Sequence, residues 1–364
     1  MYNKLFNQIK QKLETSSLWT AMSQCEEKSP YHRESSVVVH TQMVLDEYIP
    51  LITSAWTRND FIIATTLLFH DCGKPLAKIE KFSEARGNYY AFYGHELISS
   101  RLFVDFVLAD KELSKIFRDL GYDVLFITAW LIEYHKPWDV SDKTIRDMMM
   151  RTIAHYLGDV DVFIDILLAD SYGRISDDKI EQTKRCNDWV NLFRSEYDSK
   201  SAHFNFLNTS KSSRPKAYFL IGASGSGKTT FTNNTSVKSI FSLDLMRLEL
   251  YGNDYSYSFT QSTKDKHFKA KCKQRLLDLA RLNGDMIVDN TNTSKKTRQY
   301  HLAELCKRNY HTIGVVFLTS LKTNIDRQTT RKDKSIPVEA VERQFRQMQL
   351  PSLGEFDEII VIVN

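Results

Sequence analysis

Apolar residues recur at helical spacing through Val37–Ile52, Phe61–Phe69, Leu102–Leu108, Val124–Tyr134 and Val160–Leu168, and strand-like alternation is scarce before residue 200. The pattern predicts helix after helix over 1–200. Between Glu196 and Pro215 the periodicity fades into Ser, Asn and Lys, as in Ser199-Lys200-Ser201-Ala202 and Asn208-Thr209-Ser210-Lys211-Ser212-Ser213-Arg214-Pro215, which predicts a linker over 201–215. From 216 to 364 short apolar runs alternate with amphipathic ones. The predicted strands are 216–222, 238–243, 285–289, 312–318 and 358–363, with helices near 228–235, 244–251, 262–282, 294–308, 321–332 and 337–349. Such alternation argues a doubly wound parallel sheet that gathers its ligands at the carboxyl ends of the strands. The chain therefore reads as multidomain: an all-α domain, a linker, and an α/β domain with a parallel sheet.

Composition narrows the class. The 364 residues suffice for two domains, and 42% hydrophobic with 26% charged residues is a soluble globular balance. No apolar stretch approaches the roughly 18 residues of a membrane span, and Met1-Tyr2-Asn3-Lys4-Leu5-Phe6-Asn7-Gln8 has no signal-peptide core, so a cytoplasmic protein without a membrane partner is expected. Five cysteines (Cys25, Cys72, Cys186, Cys272, Cys306) without a C-x-x-C pair support neither a disulfide framework nor a zinc ribbon, and packing roles are expected. The net charge of +4 conceals an asymmetry. Residues 1–210 hold 24 Lys and Arg against 30 Asp and Glu, a net −6, whereas 211–364 hold 25 against 15, a net +10. A basic domain suits a polyanionic acceptor, because Lys and Arg release counterions from phosphates.

The strongest local signal is Gly222-Ala223-Ser224-Gly225-Ser226-Gly227-Lys228-Thr229, directly after the apolar run Tyr218-Phe219-Leu220-Ile221. In a glycine turn between strand and helix, successive N–H groups point into one concavity; a lysine at the position of Lys228 reaches the β- and γ-phosphates, and a hydroxyl at that of Thr229 ligates Mg²⁺. Gly222, Ser224, Gly225, Ser226, Gly227, Lys228, Thr229 and Thr230 are thus candidates for binding ATP or another nucleoside triphosphate with Mg²⁺. Water, a small metabolite and a polynucleotide end all remain open as acceptors.

Downstream residues bear on that choice. Asp244 follows the second predicted strand, and Arg247, three residues on, shares its helix face. A carboxylate here can take the proton of an attacking hydroxyl while the arginine holds an acceptor phosphate; a helix N-cap is the plainer role for Asp244. Asp289 ends the third strand, where P-loop enzymes keep an Mg²⁺-linked or outer-sphere carboxylate. Arg327 and Arg331, four apart in the basic stretch running to Lys332 and on through Lys334-Ser335-Ile336-Pro337, can close positive charge over the transferring phosphoryl group. The succession of these motifs resembles the 5′-hydroxyl polynucleotide kinase family of bacteriophage and bacterial RNA-repair enzymes over nearly all of 216–350. The resemblance implies ATP·Mg²⁺ on Lys228 and Thr229, Asp244 as general base, Arg247 on the acceptor phosphate and Arg331 in a lid. The aromatic segment Tyr251–Phe259 offers rings that can stack on acceptor bases but has no counterpart in that pattern.

In the first half, His40, the His70-Asp71 pair, His95, His135 and Asp170 sit beside apolar runs that would bury them unless they were liganded or hydrogen-bonded. The ordered stretches Pro30-Tyr31-His32-Arg33-Glu34 with Val37-Val38-Val39-His40-Thr41, Leu67-Leu68-Phe69-His70-Asp71-Cys72-Gly73-Lys74-Pro75, Gly94-His95-Glu96 and Leu167-Leu168-Ala169-Asp170 resemble the HD phosphohydrolase superfamily over most of 28–175. The resemblance implies a helical fold with His40, His70, Asp71 and Asp170 around one divalent ion, and His95 and His135 on a second. Mn²⁺, Ni²⁺, Co²⁺, Zn²⁺ and Fe²⁺ all suit such ligands. Ions of this kind lower the pKa of water, and a pair about 3.5–4 Å apart clamps a phosphate. Asp71 is then part of the catalytic machinery. Lys74 reads as a phosphate contact or a solvated surface lysine, His32 and His155 as structural.

Taken together the halves resemble bifunctional bacterial RNA end-healing enzymes of HD-kinase architecture, with an HD phosphohydrolase domain at 1–200 and a P-loop polynucleotide kinase domain at 216–364. That resemblance implies removal of a 2′,3′-cyclic or 2′/3′-phosphate and phosphorylation of the 5′-OH of a broken RNA, tRNA included. With no K-x-D-G motif in the chain, sealing falls to a separate RNA ligase. The alternatives are a small-molecule nucleotidase or phosphodiesterase fused to a nucleoside or metabolite kinase, and a nucleotide-sensing regulator.

Overall fold

Every residue from Phe61 to Phe69 is buried in the helix Arg58–Phe69, and so is every residue from Val124 to Ile132 in Tyr122–Tyr134. These two apolar rods pack on each other and form the centre of the first unit of a computed structural model that describes residues 1–28, 32–84, 87–136, 142–197, 213–252, 254–331, 334 and 336–364. The predicted linker up to Ser212 lies outside the described residues, as do Pro30, Tyr31, Asn253, Lys332 and Ser335 of the motifs quoted above. Contacts divide the chain into Met1–Asn208 and Thr209–Asn364. Among the described residues no helix is long and apolar enough to cross a membrane.

In the first unit the helix Arg58–Phe69 is packed by Tyr2–Glu14, Val37–Tyr48, His95–Ala109, Tyr122–Tyr134 and Asp161–Tyr172. Its start is fixed by a reciprocal cap in which Thr57 Oγ1 accepts the Asp60 N–H and Asp60 accepts the Thr57 N–H at 2.7 Å. Each fully buried Leu, Ile or Phe of this core contributes about 1.5–3 kcal/mol. The all-α expectation needs one correction. Strands β1 (Ile79–Ser83) and β2 (Gly87–Ala91) pair antiparallel, Ile79 opposite Ala91 and Ser83 opposite Gly87. No residue of either strand is buried, so the alternation of apolar and polar positions that betrays a half-buried strand is missing from the sequence. Of the cysteines, Cys25, Cys72 and Cys272 are buried, Cys186 is half-buried, and Cys306 is exposed rather than packed.

The second unit is a five-stranded parallel sheet of β3 (Lys216–Ile221), β4 (Ser239–Phe241), β5 (Met286–Asp289), β6 (His311–Leu318) and β7 (Glu358–Val363), in the order β4-β5-β3-β6-β7. Leu220, Ile287, Ile313, Val315 and Phe317 form an apolar core beside the sheet, and β6 is buried along its whole length. In register, Leu220 of β3 lies opposite Asp289 of β5, and Phe241 of β4 opposite Val288. The segments that follow β3, β4 and β5 therefore leave the sheet at one edge, as a parallel sheet requires. The helix expected over 262–282 is two helices, Tyr255–Lys264 and Phe268–Arg281. They part at Asp265, whose carboxylate accepts the His267 N–H at 2.7 Å and the Tyr251 hydroxyl at 2.6 Å, a local bond that competes with the helix.

Candidate functional site

At the carboxyl edge of β3 the chain turns through Gly225 and Gly227, with φ of +86° and +99°. A Cβ on Gly225 would stand 2.4 Å from the Asn324 carbonyl oxygen, so both conformation and space demand glycine. The loop is tied down at several points. Gly222 N–H donates to the Thr291 carbonyl at 3.0 Å, Ser224 N–H to Gln344 Oε1 at 2.9 Å, and the Arg327 guanidinium to the Gly225 carbonyl at 3.2 Å. Asn292, at φ +47° and buried, bridges β3 and β5 by donating to the carbonyls of Leu220 (2.9 Å) and Val288 (3.2 Å).

Lys228 folds back over this loop and donates to the carbonyls of Gly222 and Ala223 at 2.8 Å each. Burial lowers its pKa to about 8, partly offset by the charge of Asp289. Below about pH 7 the ammonium is charged and ready for phosphate; above pH 9 most of that charge is gone. The ATP dissociation constant is accordingly expected to rise about fivefold between pH 8 and 9, since the charged fraction of the lysine falls from about a half to about a tenth over that step. Calorimetric titration across this range checks it, and a flat profile would contradict it.

Thr229 and Thr230 are exposed beside the loop. With Ser224, Gly225, Gly227 and Lys228 they line a cleft of about 560 Å³ that also takes in Asp244, Arg247, Tyr255, Asp289, Arg327, Gln328, Arg331, Lys334 and Gln344. Gly222 and Ser226 belong to the same turn. Asp244 is not the N-cap of Leu243–Tyr251; that role falls to Ser242, whose hydroxyl accepts the Leu245 N–H. The Asp244 carboxylate instead accepts from Arg247 Nη1 at 2.7 Å and from the Lys334 ammonium, with the Tyr255 hydroxyl at 3.4 Å. Burial works against its charge, but Lys334 and Arg247 hold its pKa below the usual carboxylate value, so it is ionised throughout the neutral range. Asp289 is pushed the other way, upward, by burial. Arg247 is fixed by donating to Ser262 Oγ at 3.1 Å and lies over the Phe259 ring, 4.9 Å from its centroid. Gln344, Asn292 and the Lys334 contact escape sequence reasoning, because each joins segments far apart in the chain.

The first unit brings its six candidate ligands to one place, from helix ends. His70 and His135 follow the last turns of Arg58–Phe69 and Tyr122–Tyr134, His95 opens His95–Ala109, and His40 and Asp170 project from Val37–Tyr48 and Asp161–Tyr172. Each histidine places Nδ1 on a backbone carbonyl: His70 on Leu67 (2.6 Å), His95 on Phe92 (2.6 Å), His135 on Ile132 (2.7 Å) and His40 on Gly173 (3.2 Å). Two of these carbonyls, at helix C-termini, have no intrahelical partner, so the histidine completes the helix end. The donated Nδ1–H also fixes the tautomer and turns the Nε2 lone pair inward.

What the lone pairs face is acceptor oxygen. Asp71 Oδ1 lies 2.9 Å from His95 Nε2 and 3.7 Å from His135 Nε2, while Oδ2 lies 3.2 Å from His70 Nε2 and 3.3 Å from His40 Nε2. Asp170 Oδ1 stands 3.2 Å from His40 Nε2. Asp71 Oδ1, His95 Nε2 and His135 Nε2 have no hydrogen-bond partner among the described residues although all are buried. Buried acceptors facing acceptors are costly without a cation between them, and neutral imidazole with carboxylate is a divalent-metal donor set. The residues thus fit two groups sharing Asp71: His40, His70 and Asp71 with Asp170 alongside, and Asp71, His95 and His135. Burial keeps His135 well below the ordinary histidine pKa, in the neutral form a metal needs.

Lys74 is neither solvated nor directed to the surface. It is 1% exposed, with its ammonium 2.6 Å from Asp71 Oδ2 and bonded to buried Glu27. Burial opposes its charge, yet those two carboxylates hold its pKa above the ordinary lysine value. Lys74→Ala would strip buried Glu27 and Asp71 of their shared ammonium, and a loss of about 3–5 kcal/mol is expected. All five tryptophans precede residue 190, so urea unfolding followed by tryptophan fluorescence reads this unit; a change under about 1 kcal/mol would contradict the assignment. Arg174, which donates to Asp170 Oδ2 at 2.5 Å, and Glu27 are further residues the sequence reading did not select. His32 packs against His40 with ring centroids 5.0 Å apart, and His155 is exposed.

Residues 218–351 match the family described as AAA domain, and the loop, sheet edge and cleft above fall within that span. Over 137 residues the chain is 27% identical to a protein described as putative bifunctional polynucleotide kinase/RNA ligase from Autographa californica nuclear polyhedrosis virus, a match covering 35% of this chain and 20% of that protein. The chain thus aligns with only a fifth of that relative's length. A solved structure titled as the Pnkp1/Rnl/Hen1 RNA repair complex resembles 39% of this chain and 46% of its own, at 22% identity and a TM-score of 0.32, too loosely to bear on the fold.

Proposed function

We propose that this chain is an RNA end-healing enzyme that phosphorylates 5′-OH ends with ATP and removes 2′,3′-cyclic or 2′/3′-phosphates. The observation that carries the kinase reading is the Asp244 carboxylate, ionised and held by Arg247 and Lys334 in the same cleft as the Lys228 loop. In this mechanism the 5′-hydroxyl gives its proton to Asp244 as its oxygen bonds to the γ-phosphorus and the bond to ADP breaks. Arg247 orients the acceptor phosphate; Lys228, Arg327 and Arg331 receive the charge that spreads over the phosphoryl oxygens. Thr229 and Asp289, which line the same cleft, would hold Mg²⁺, and that ion would neutralise charge on the triphosphate. The relative described as a polynucleotide kinase/RNA ligase supports a polynucleotide as acceptor, as does the net +10 charge of 211–364.

For the other end, the inward lone pairs of His40, His70, His95 and His135 around Asp71 and Asp170 support a metal-dependent phosphohydrolase of the HD type. Divalent ions there supply an acidified water and a polarised phosphate when bound. The chain's own contribution is to fix the imidazole tautomers through the carbonyls of Leu67, Phe92, Ile132 and Gly173 and to clamp Asp71 against Lys74. A cytoplasmic setting and a separate ligase acting downstream complete the proposal.

Acceptor length tests it. Remote contacts along a polymer supply binding energy for the reacting centre, so a 5′-OH oligonucleotide is expected to exceed a nucleoside by about tenfold or more in kcat/KM. Preference for the nucleoside would replace this reading with a small-molecule kinase.

A further inference from the structure

The hairpin β1–β2 is bracketed by the metal-ligand cluster. Asp71 and Lys74 precede it by a single short helical turn, Lys74–Ala77, and His95 follows it by four residues. Phe92, next after β2, gives its carbonyl to His95 Nδ1 and has the Lys74 ammonium 5.5 Å from its ring centroid. The base of the hairpin is fixed by Tyr90 N–H donating to the Lys28 carbonyl at 2.9 Å. Both ends are therefore seated within a few residues of the cluster, and the strands reach outward from it.

What the hairpin presents is unusual for a surface element. Phe82 is 71% exposed and Tyr93 67%, and Leu76 and Ile79 are exposed as well. A lysine covers an aromatic face on each side: Lys78 Nζ is 3.6 Å from the Tyr90 centroid, and Lys81 Nζ is 4.5 Å from that of Tyr93 and donates to its hydroxyl at 3.1 Å. By register Lys81 faces Tyr89, so the two lysine–tyrosine pairs fall on opposite faces. A lone two-stranded hairpin is marginally stable in water, and this one buries neither face. Rings with adjacent ammonium groups are the recognition surface for unpaired nucleotides, which stack their bases and pair their phosphates. Residues 1–210 carry a net −6 charge, against which Lys78 and Lys81 place an ammonium group on each face of the hairpin.

We propose that the strands Ile79–Ser83 and Gly87–Ala91, with Tyr93, dock the single-stranded nucleotides next to a 3′-terminal phosphate and thereby deliver that terminus to the His40–His70–Asp71–His95–His135–Asp170 cluster. The proposal rests on reading that cluster as a phosphoester-cleaving centre. It gives the first unit selectivity for polynucleotide ends over mononucleotides, since a mononucleotide phosphate has no neighbouring bases to stack.

The test uses the full chain and a short single-stranded RNA ending in 4-thiouridine with a 2′,3′-cyclic phosphate. Irradiation is expected to cross-link the RNA to residues 76–93; cross-links confined to other segments overturn the proposal whether or not the protein turns over. Phe82→Ala and the double variant Lys81→Ala/Tyr93→Ala are expected to raise KM for 3′-end processing about tenfold, the scale of one lost stacking contact, with bis-p-nitrophenyl phosphate hydrolysis unchanged. Unchanged KM for the RNA, or a variant whose only effect is a change in mass by light scattering, would assign this face to another role and overturn the proposal. Absence of hydrolysis of either substrate by the wild-type protein sinks the phosphohydrolase reading alone, and the cross-link map then decides the docking.

Discussion

Asp244→Ala is expected to lower 5′-phosphorylation by about a thousandfold while 3′-end processing stays at the wild-type rate. Removal of a positioned general base typically costs 10²–10⁴-fold, and here the same residue also anchors Arg247 and Lys334. The loss has two parts that a second variant separates. Asp244→Asn keeps the shape and one acceptor oxygen, enough for Arg247 or Lys334 but not for both, and it cannot carry away the hydroxyl proton. If proton transfer is the main role, Asn falls nearly as far as Ala in kcat, with ATP binding little changed. If positioning of the cations is the main role, Asn, which keeps one of the two contacts, recovers a clear part of the activity that Ala loses. Because Lys334 and Arg247 hold the Asp244 pKa below the ordinary carboxylate value, the carboxylate stays ionised as pH falls from 8 to 5, and no loss of kinase rate from its protonation is expected in that window. An acidic limb that vanishes in the Asn variant would contradict this.

The complementary change is Asp71→Asn. Its two oxygens face four histidine nitrogens, so amidation removes the shared anion from both ligand groups. Metal content of the purified protein should fall, and phosphoester hydrolysis should drop by about a thousandfold or more, because bound ions supply several kcal/mol at 1.36 kcal/mol per tenfold. The kinase, with its own cleft in the other unit, is expected to be unaffected. Retention of full metal content, measured by plasma mass spectrometry, would show that Asp71 is not a ligand.

Much of this arrangement is legible in the sequence because its signals are local. The phosphate loop is one continuous run, Asp244 and Arg247 are three residues apart, and the parallel sheet announces itself through short apolar runs broken by helices. The histidine set is legible for a related reason, since each member sits at or near the end of an apolar helical run that would otherwise bury it. What the sequence hides is either long-range or unpatterned. Lys74 looks like a surface lysine until Glu27, 47 residues away, is seen beside it. Gln344 holds Ser224 across 120 residues. The β1–β2 hairpin buries neither face and so has no amphipathic alternation to read. Asp265 breaks a helix that apolar spacing alone extends, and Ser242 takes the capping role that Asp244 is equally suited to by residue type.

Under the proposed function, one chain would heal both ends of a broken RNA through two separate sites. The most direct measurement is the mass of a single RNA oligonucleotide carrying a 5′-OH and a 2′,3′-cyclic phosphate after incubation with the wild-type protein, ATP, Mg²⁺ and Mn²⁺. The expected product bears a 5′-phosphate and a free 3′-terminal diol, with Asp244→Ala abolishing only the first change and Asp71→Asn only the second. An oligonucleotide left unaltered at both ends while mononucleotides are consumed would contradict it.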